Sequence, residues 1–296
     1  MREGRASRTA EQNALFRALE SLRPATARVC DDPLARHFLT WPFTLVMRLA
    51  AIPGGAKFVS WFIDRRWPGV RPSVVARTRL IDDVILGAAP NDFEQLVILG
   101  AGFDSRAYRL LRLRAVDVFE VDHPDTQEAK RRVLAGLFSA LPAHVRFVAI
   151  DFARDDLIPA LHRAGYRDAA RTFILWEGVT NYLTDDAVDS VLRWCGRAST
   201  GSSLLFTYIH RDVLTRPSAF PGTKNLLASL EKAGERLTFG MDPNDVPGYL
   251  SERGLSLQWD IGAAEYRARY FGAAARAMRG HEFYRVAVAR VGERPD

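Results

Sequence analysis

One stretch, Val97 to Leu110, limits what this chain can fold into. Val97-Ile98-Leu99 is apolar, Gly100-Ala101-Gly102 interrupts it, and helical spacing resumes from Asp104 to Leu110. The pattern predicts a buried strand, a tight turn and a helix N-terminus. Glycine at 100 and 102 leaves no Cβ in the way, so the backbone can turn sharply and a ligand can approach it. A second apolar run, Val116 to Val121, ends in Asp122. That acid stands about 20 residues beyond the turn, the spacing of a carboxylate that reaches a ribose.

Two cofactor classes use such a turn. A dinucleotide fold wants a third glycine where Ser105 stands, for close helix–strand packing under a pyrophosphate. Asp104 is a poor neighbour for phosphate and a good one for an ammonium. The loop therefore favours S-adenosylmethionine, which carries an adenosine, an amino acid and a sulfonium but no phosphate. A NAD(P)-dependent oxidoreductase is the rival reading.

The rest of the chain predicts how the turn is housed. From Gln95 onward strands alternate with helices: Gln95–Leu99, Val116–Val121, Val145–Ile150, Thr172–Trp176, Ser203–Tyr208, Leu255–Ile261 and Glu282–Val291. Alternation implies a doubly wound α/β sheet, mostly parallel, with helices on both faces. The turn at Gly280 replaces a full crossover and makes the last of seven strands antiparallel. Residues 1–90 read as a helical N-terminal lid and 91–296 as the core. Residues 1–10 are expected to fray. In the lid, Asp32 is expected to cap a helix that opens on Pro33. Residues 209–242 exceed an ordinary connection and read as an insertion covering the substrate.

Bulk properties exclude several classes. The 296 residues carry a formal charge of +6, mostly as arginines scattered among acids. No block reads as a nucleic-acid arm, so no nucleic-acid partner is expected; the excess suits an acidic small substrate. Cys30 and Cys195 lie far apart without metal spacing, so free thiols in a reducing cytosol and no metal are expected. No run of about 18 apolar residues occurs, so neither a membrane partner nor a signal peptide is expected and the location reads as cytoplasmic. The sequence carries no signal for oligomeric state.

Four separated motifs now add up. They are Val97-Ile98-Leu99-Gly100-Ala101-Gly102-Phe103-Asp104-Ser105-Arg106, Phe119-Glu120-Val121-Asp122-His123-Pro124, Ala149-Ile150-Asp151-Phe152, and Trp176-Glu177-Gly178-Val179-Thr180-Asn181-Tyr182-Leu183. With Asp31-Asp32-Pro33-Leu34-Ala35 and Ala76-Arg77-Thr78-Arg79, the chain resembles the leucine carboxyl methyltransferase family. Its bacterial branch contains polyketide O-methyltransferases. The resemblance implies a class I, Rossmann-like S-adenosylmethionine-dependent methyltransferase. It implies that Gly100 and Gly102 pass under the methionine portion and that Asp104 meets the cofactor ammonium or caps a helix. Asp122 would hold the ribose, and Asp151 and Phe152 the adenine. Glu177 would lie near the amino group, and Arg77, with Arg79 as a weaker candidate, would pair with the cofactor carboxylate. Glu120, on the other face of its strand, is expected to be structural.

The acceptor side is less defined. A carboxylate nucleophile is already ionised at neutral pH and needs no base. A hydroxyl would need one, with His210 and His123 as the nearest candidates. Asn181, Tyr182 and Tyr208 could position the acceptor, and Trp41, Phe58, Trp61, Phe62 and Trp67 could line an apolar pocket. The expected reaction is O-methylation of a small, secondary-metabolite-like acid. A protein C-terminal carboxylate and a non-catalytic scaffold are the alternatives.

Overall fold

The computed structural model describes residues 8–88, 92–151 and 155–292. Phe152, expected beside the adenine, falls outside them. In chain order the elements are α1 (Arg8–Ser21), α2 (Phe43–Ala51), α3 (Gly55–Arg66), α4 (Val70–Gly87), β1 (Gln95–Leu99), α5 (Arg106–Arg109), β2 (Asp117–Asp122), α6 (Pro124–Ala135), β3 (Val145–Ala149), α7 (Leu157–Arg163), β4 (Thr172–Trp176), α8 (Asp185–Cys195), β5 (Ser203–Ile209), α9 (Asp212–Thr215), α10 (Thr223–Ala233), α11 (Val246–Ser251), β6 (Leu255–Gly262), α12 (Ala263–Phe271) and β7 (Tyr284–Val291).

The strands form one seven-stranded sheet in the order β3-β2-β1-β4-β5-β7-β6. Neighbours from β3 to β5 are parallel, with Leu96 opposite Val118 and Phe173, while β7 runs antiparallel to β5 and β6. All five residues of β1 and of β4 are buried, because helices cover both faces. On one face Val97, Leu99 and Ile174 pack with Val188 and Leu192 of α8. On the other, Leu96 and Ile98 pack with Leu80, Ile81 and Ile85 of α4 and Tyr266 of α12. The strand order reverses between β1 and β4, which opens a crevice at their carboxyl ends.

The N-terminal helices add a third apolar cluster. Ala14, Phe16 and Leu19 of α1 join Phe38, Val59 and Ile63, and the cluster reaches Phe103 of the glycine loop. Phe38 stacks on Phe103 with ring centroids 5.0 Å apart. Helix α4 belongs at once to this layer and to the sheet.

Several boundaries differ from expectation. Arg8 to Ala10, expected to fray, belong to helix α1, and the rest of that segment lies outside the described residues. The helix expected after the glycine turn, through Leu110, stops at Arg109 and is followed by a 3-10 turn, Leu111–Ala115, because Leu110 is extended. The helix expected at Pro33 is a short 3-10 turn, Ala35–Phe38, although Asp32 does accept the Ala35 N–H at 3.1 Å. The expected insertion holds α9 and α10, and Met241 exchanges backbone hydrogen bonds with Ile209 and Arg211 at its base.

Candidate functional site

The carboxyl ends of β1, β2 and β4 open on a cavity of about 900 Å³. One side comes from the glycine loop with Asp122, His123, Asp151 and Glu177. The other comes from Thr9, Ala10, Asn13 and Arg17 of α1, with Tyr182, Leu183 and Gly234 to Arg236.

The glycine turn is dictated by its neighbours. Gly100 has φ +66°, and a Cβ there would lie 2.3 Å from Val179 Cγ2. Gly102 has φ +44°, and its Cβ would press on Ala10 Cβ at 3.2 Å, so α1 lies directly against the loop. Asp122 braces the same turn. Its carboxylate accepts the Gly102 N–H and, at 2.6 Å, the His123 N–H. Burial pushes this carboxyl up, and the two N–H groups pull it back only in part.

Below the loop lies a network of three acids and three arginines. Arg77 Nε donates to Glu177 Oε1 at 2.7 Å, and Arg106 Nη1 to Glu177 Oε2 at 2.9 Å. Arg106 also pairs with Asp104 and donates to Asp82 Oδ1 at 2.8 Å, and Arg109 holds the other Asp82 oxygen at 2.7 Å. Burial raises the carboxyls of Asp104 and Glu177, but the guanidiniums outweigh it. Asp104 is lowered to about 2, and Glu177 also falls below its ordinary value. Asp104 caps α5 as well, accepting the Arg106 N–H at 2.8 Å. Arg77 rests 4.7 Å from the centroid of the Tyr284 ring.

The structure brings Arg77, Gly100, Gly102, Asp104, Asp122, Asp151, Glu177 and Tyr182 to the cavity. It does not bring His210, Asn181, Tyr208 or Arg79 there. His210 accepts the Asp212 N–H on Nδ1 at 3.1 Å and sits 5.3 Å from the Phe220 ring, so it serves α9. Asn181 is buried, and its carbonyl accepts the Thr238 N–H at 2.8 Å. Tyr208 is bonded to Asp260 of the edge strand β6. Arg79 faces outward and pairs with Asp83 at 2.7 Å. The five aromatic candidates also miss the cavity. Trp41, Phe58, Trp61 and Phe62 are exposed, and Trp67 packs into the N-terminal cluster. Glu120 is structural as expected, buried 2.8 Å from Lys130 Nζ.

Sequence reasoning missed Thr9, Asn13, Arg17, Asp32, Asp82, Arg106, Arg109 and Arg236 as site residues. Thr9, Asn13 and Arg17 follow one another at four-residue steps, a polar stripe beside the apolar face of the helix, and that signal was readable. Arg17 reaches Asp32 at 2.8 Å and the Phe103 carbonyl at 2.6 Å.

Comparison with known proteins fits this geometry. The family model for leucine carboxyl methyltransferase matches residues 10–196. A Streptomyces coelicolor protein provisionally named an S-adenosyl-L-methionine-dependent methyltransferase is 32% identical over 268 residues, covering 88% of this chain and 85% of the relative. A Mycolicibacterium gilvum protein with the same provisional name is 39% identical over 196 residues, or 62% of each chain. For a Mycobacterium tuberculosis relative the match spans 44% of its length. The match thus covers under two thirds of these two relatives. Among solved structures, a methyltransferase-like protein from Thermobifida fusca superposes with a TM-score of 0.58 at 15% identity, over 87% of this chain and 94% of that one. A DUF574 family protein from Streptomyces avermitilis gives 0.56 at 15% identity, over 80% and 90%. Both share the fold. The chain belongs to the leucine carboxyl methyltransferase family, and the relatives it matches are named for S-adenosylmethionine.

Proposed function

We propose that the chain methylates a carboxylate of a small, acidic acceptor of the secondary-metabolite type. The donor set suits the cofactor. Asp122 offers a half-buried carboxylate to a diol, and the Arg77–Glu177–Arg106 cluster offers both charges to an amino acid's ammonium and carboxylate. When bound, S-adenosylmethionine supplies an electrophilic methyl on a sulfonium.

One observation carries the choice of acceptor. Among the described residues, His123 is the histidine that lines the cavity, and its Nδ1 already accepts the Asp125 N–H at 3.3 Å. The neutral ring then holds its proton on Nε2 and acts as a donor. His210, the other base candidate, is committed in the same way. A carboxylate nucleophile arrives ionised and needs neither. The protein's part is to hold acceptor and donor in line, which accounts for about 7–11 kcal/mol of barrier in well-oriented systems. Arg236 and Asn13, at the rim, are cationic and polar groups suited to the acceptor's carboxylate.

The test is labelled methyl transfer to a panel of aromatic and aliphatic acids and the matching phenols. The expected product is a methyl ester, which mild base cleaves to volatile methanol. A base-stable ether would overturn the carboxylate assignment. Transfer only to a protein's C-terminus would move the acceptor to the macromolecular class.

A further inference from the structure

The aromatic residues that miss the cavity form a surface of their own. Helices α2 and α3 pack as a hairpin, and Val59 and Ile63 bury one face of α3 in the N-terminal cluster. The opposite face is open. Trp41 is 72% exposed, Phe58 57%, Trp61 58% and Phe62 57%. Leu45, Leu49 and Ile52 extend the patch at helical spacing along α2 and its end. Phe58 and Trp61 touch, with ring centroids 6.1 Å apart. Scattered exposed apolar residues are ordinary, but seven large ones concentrated on one helical hairpin and the residues flanking it mark an interaction surface.

The charges around the patch indicate what covers it. Arg48 stands on α2, and Lys57, Arg65 and Arg66 on α3, all exposed. Asp64 is the acid of the two helices, and Arg71 holds it. The patch is therefore apolar at the centre and cationic at its margin. A second copy packed on it through a two-fold axis would set these cations against themselves. An anionic lipid surface would meet both features. Tryptophan and phenylalanine settle at the headgroup boundary, and lysine and arginine reach lipid phosphates.

From this face we infer that the α2–α3 hairpin docks the protein on anionic phospholipid bilayers as a peripheral contact. Among the described residues no helix is long and apolar enough to cross a membrane, and a helix lying in the interface needs no such length. The sequence reading, which expected no membrane partner, rested on the missing span alone. Docking is separate from catalysis, because none of these side chains lines the cavity.

The experiment is flotation of the full chain with vesicles of phosphatidylcholine alone and of phosphatidylcholine with phosphatidylserine. Binding is expected to the second kind only and to be released by sodium chloride. Trp61→Glu with Phe62→Glu should abolish it while thermal unfolding stays as in the wild type. Arg65→Gln with Arg66→Gln should weaken partitioning roughly 30-fold, at about 1 kcal/mol per basic residue. No binding to anionic vesicles, or equal binding by the Trp61–Phe62 variant, would overturn the inference. So would a concentration-dependent dimer, seen by sedimentation velocity, that the same variant abolishes; that result would assign the face to a second copy.

Discussion

Arg77 and Arg106 grip the two oxygens of one carboxylate, that of Glu177, at 2.7 and 2.9 Å. They come from different helices and meet at the end of β4. Three acids and three arginines balance in this cluster, counting Asp82, Asp104 and Glu177 against Arg77, Arg106 and Arg109. Arg106→Met would leave Asp104 and Glu177 buried without their shared cation. The expected loss is about 3–5 kcal/mol, read as a lower urea midpoint at an unchanged slope. Arg106→Lys should recover only part of it, since an ammonium cannot replace a planar fork that spans three carboxylates.

Asp122 braces the glycine turn and, under the proposed function, also holds the ribose, so its removal should show both. In Asp122→Ala, affinity for S-adenosylhomocysteine should fall at least about 100-fold by calorimetry, from two charge-assisted bonds of roughly 1.5–3 kcal/mol each. The free protein should also melt lower, because the Gly102 and His123 N–H groups lose their acceptor. Wild-type affinity in this variant would remove the ribose assignment.

Gly100 is held by a side chain. Gly100→Ala should destabilise the protein, both through its left-handed backbone and through the clash with Val179 Cγ2. Adding Val179→Ala removes the clash and leaves the backbone strain of about 1–3 kcal/mol. Thermal unfolding of the single and double variants separates the two; a double variant no more stable than the single one would exclude a role for Val179.

His281 sets part of the acid sensitivity. Burial, then Arg77 and Arg267, lower its imidazole to about 3. Between that value and the ordinary 6.5 the unfolded chain binds a proton that the native state refuses. The stability is therefore complete above pH 6.5 and drains away as pH falls towards 3, by up to about 4–5 kcal/mol. His281→Asn keeps a residue that tolerates φ +65° and removes the titration. Urea midpoints at pH 7 and pH 4 should differ less in the variant than in the wild type; an equal difference would clear His281.

The frame of the site was legible because its signals are local. The strand, the glycines and Asp122 lie within one βαβ unit, where periodicity and spacing suffice. Arg106 was visible as a letter of the motif but not as a hub, since Asp82 and Glu177 reach it from distant helix and strand. Helical periodicity alone does not orient α3. Val59 and Ile63 on one side and Phe58, Trp61 and Phe62 on the other are equally apolar. Only packing against α1 and Phe38 decides that the aromatic side is left outside. His210 misled for a similar reason: nearness to a strand end in sequence says nothing of which way the ring turns.

Thr9, at the start of α1, is hydrogen-bonded to Glu235, beyond α10, across the rim of the cavity. The doorway is thus framed by pieces far apart in the chain, while Asp122 and the arginine cluster rest on strands and helices behind it. Under the proposed function, acceptor size and shape should be open to retuning at the frame alone, by replacing rim residues, with methyl-donor recognition left intact.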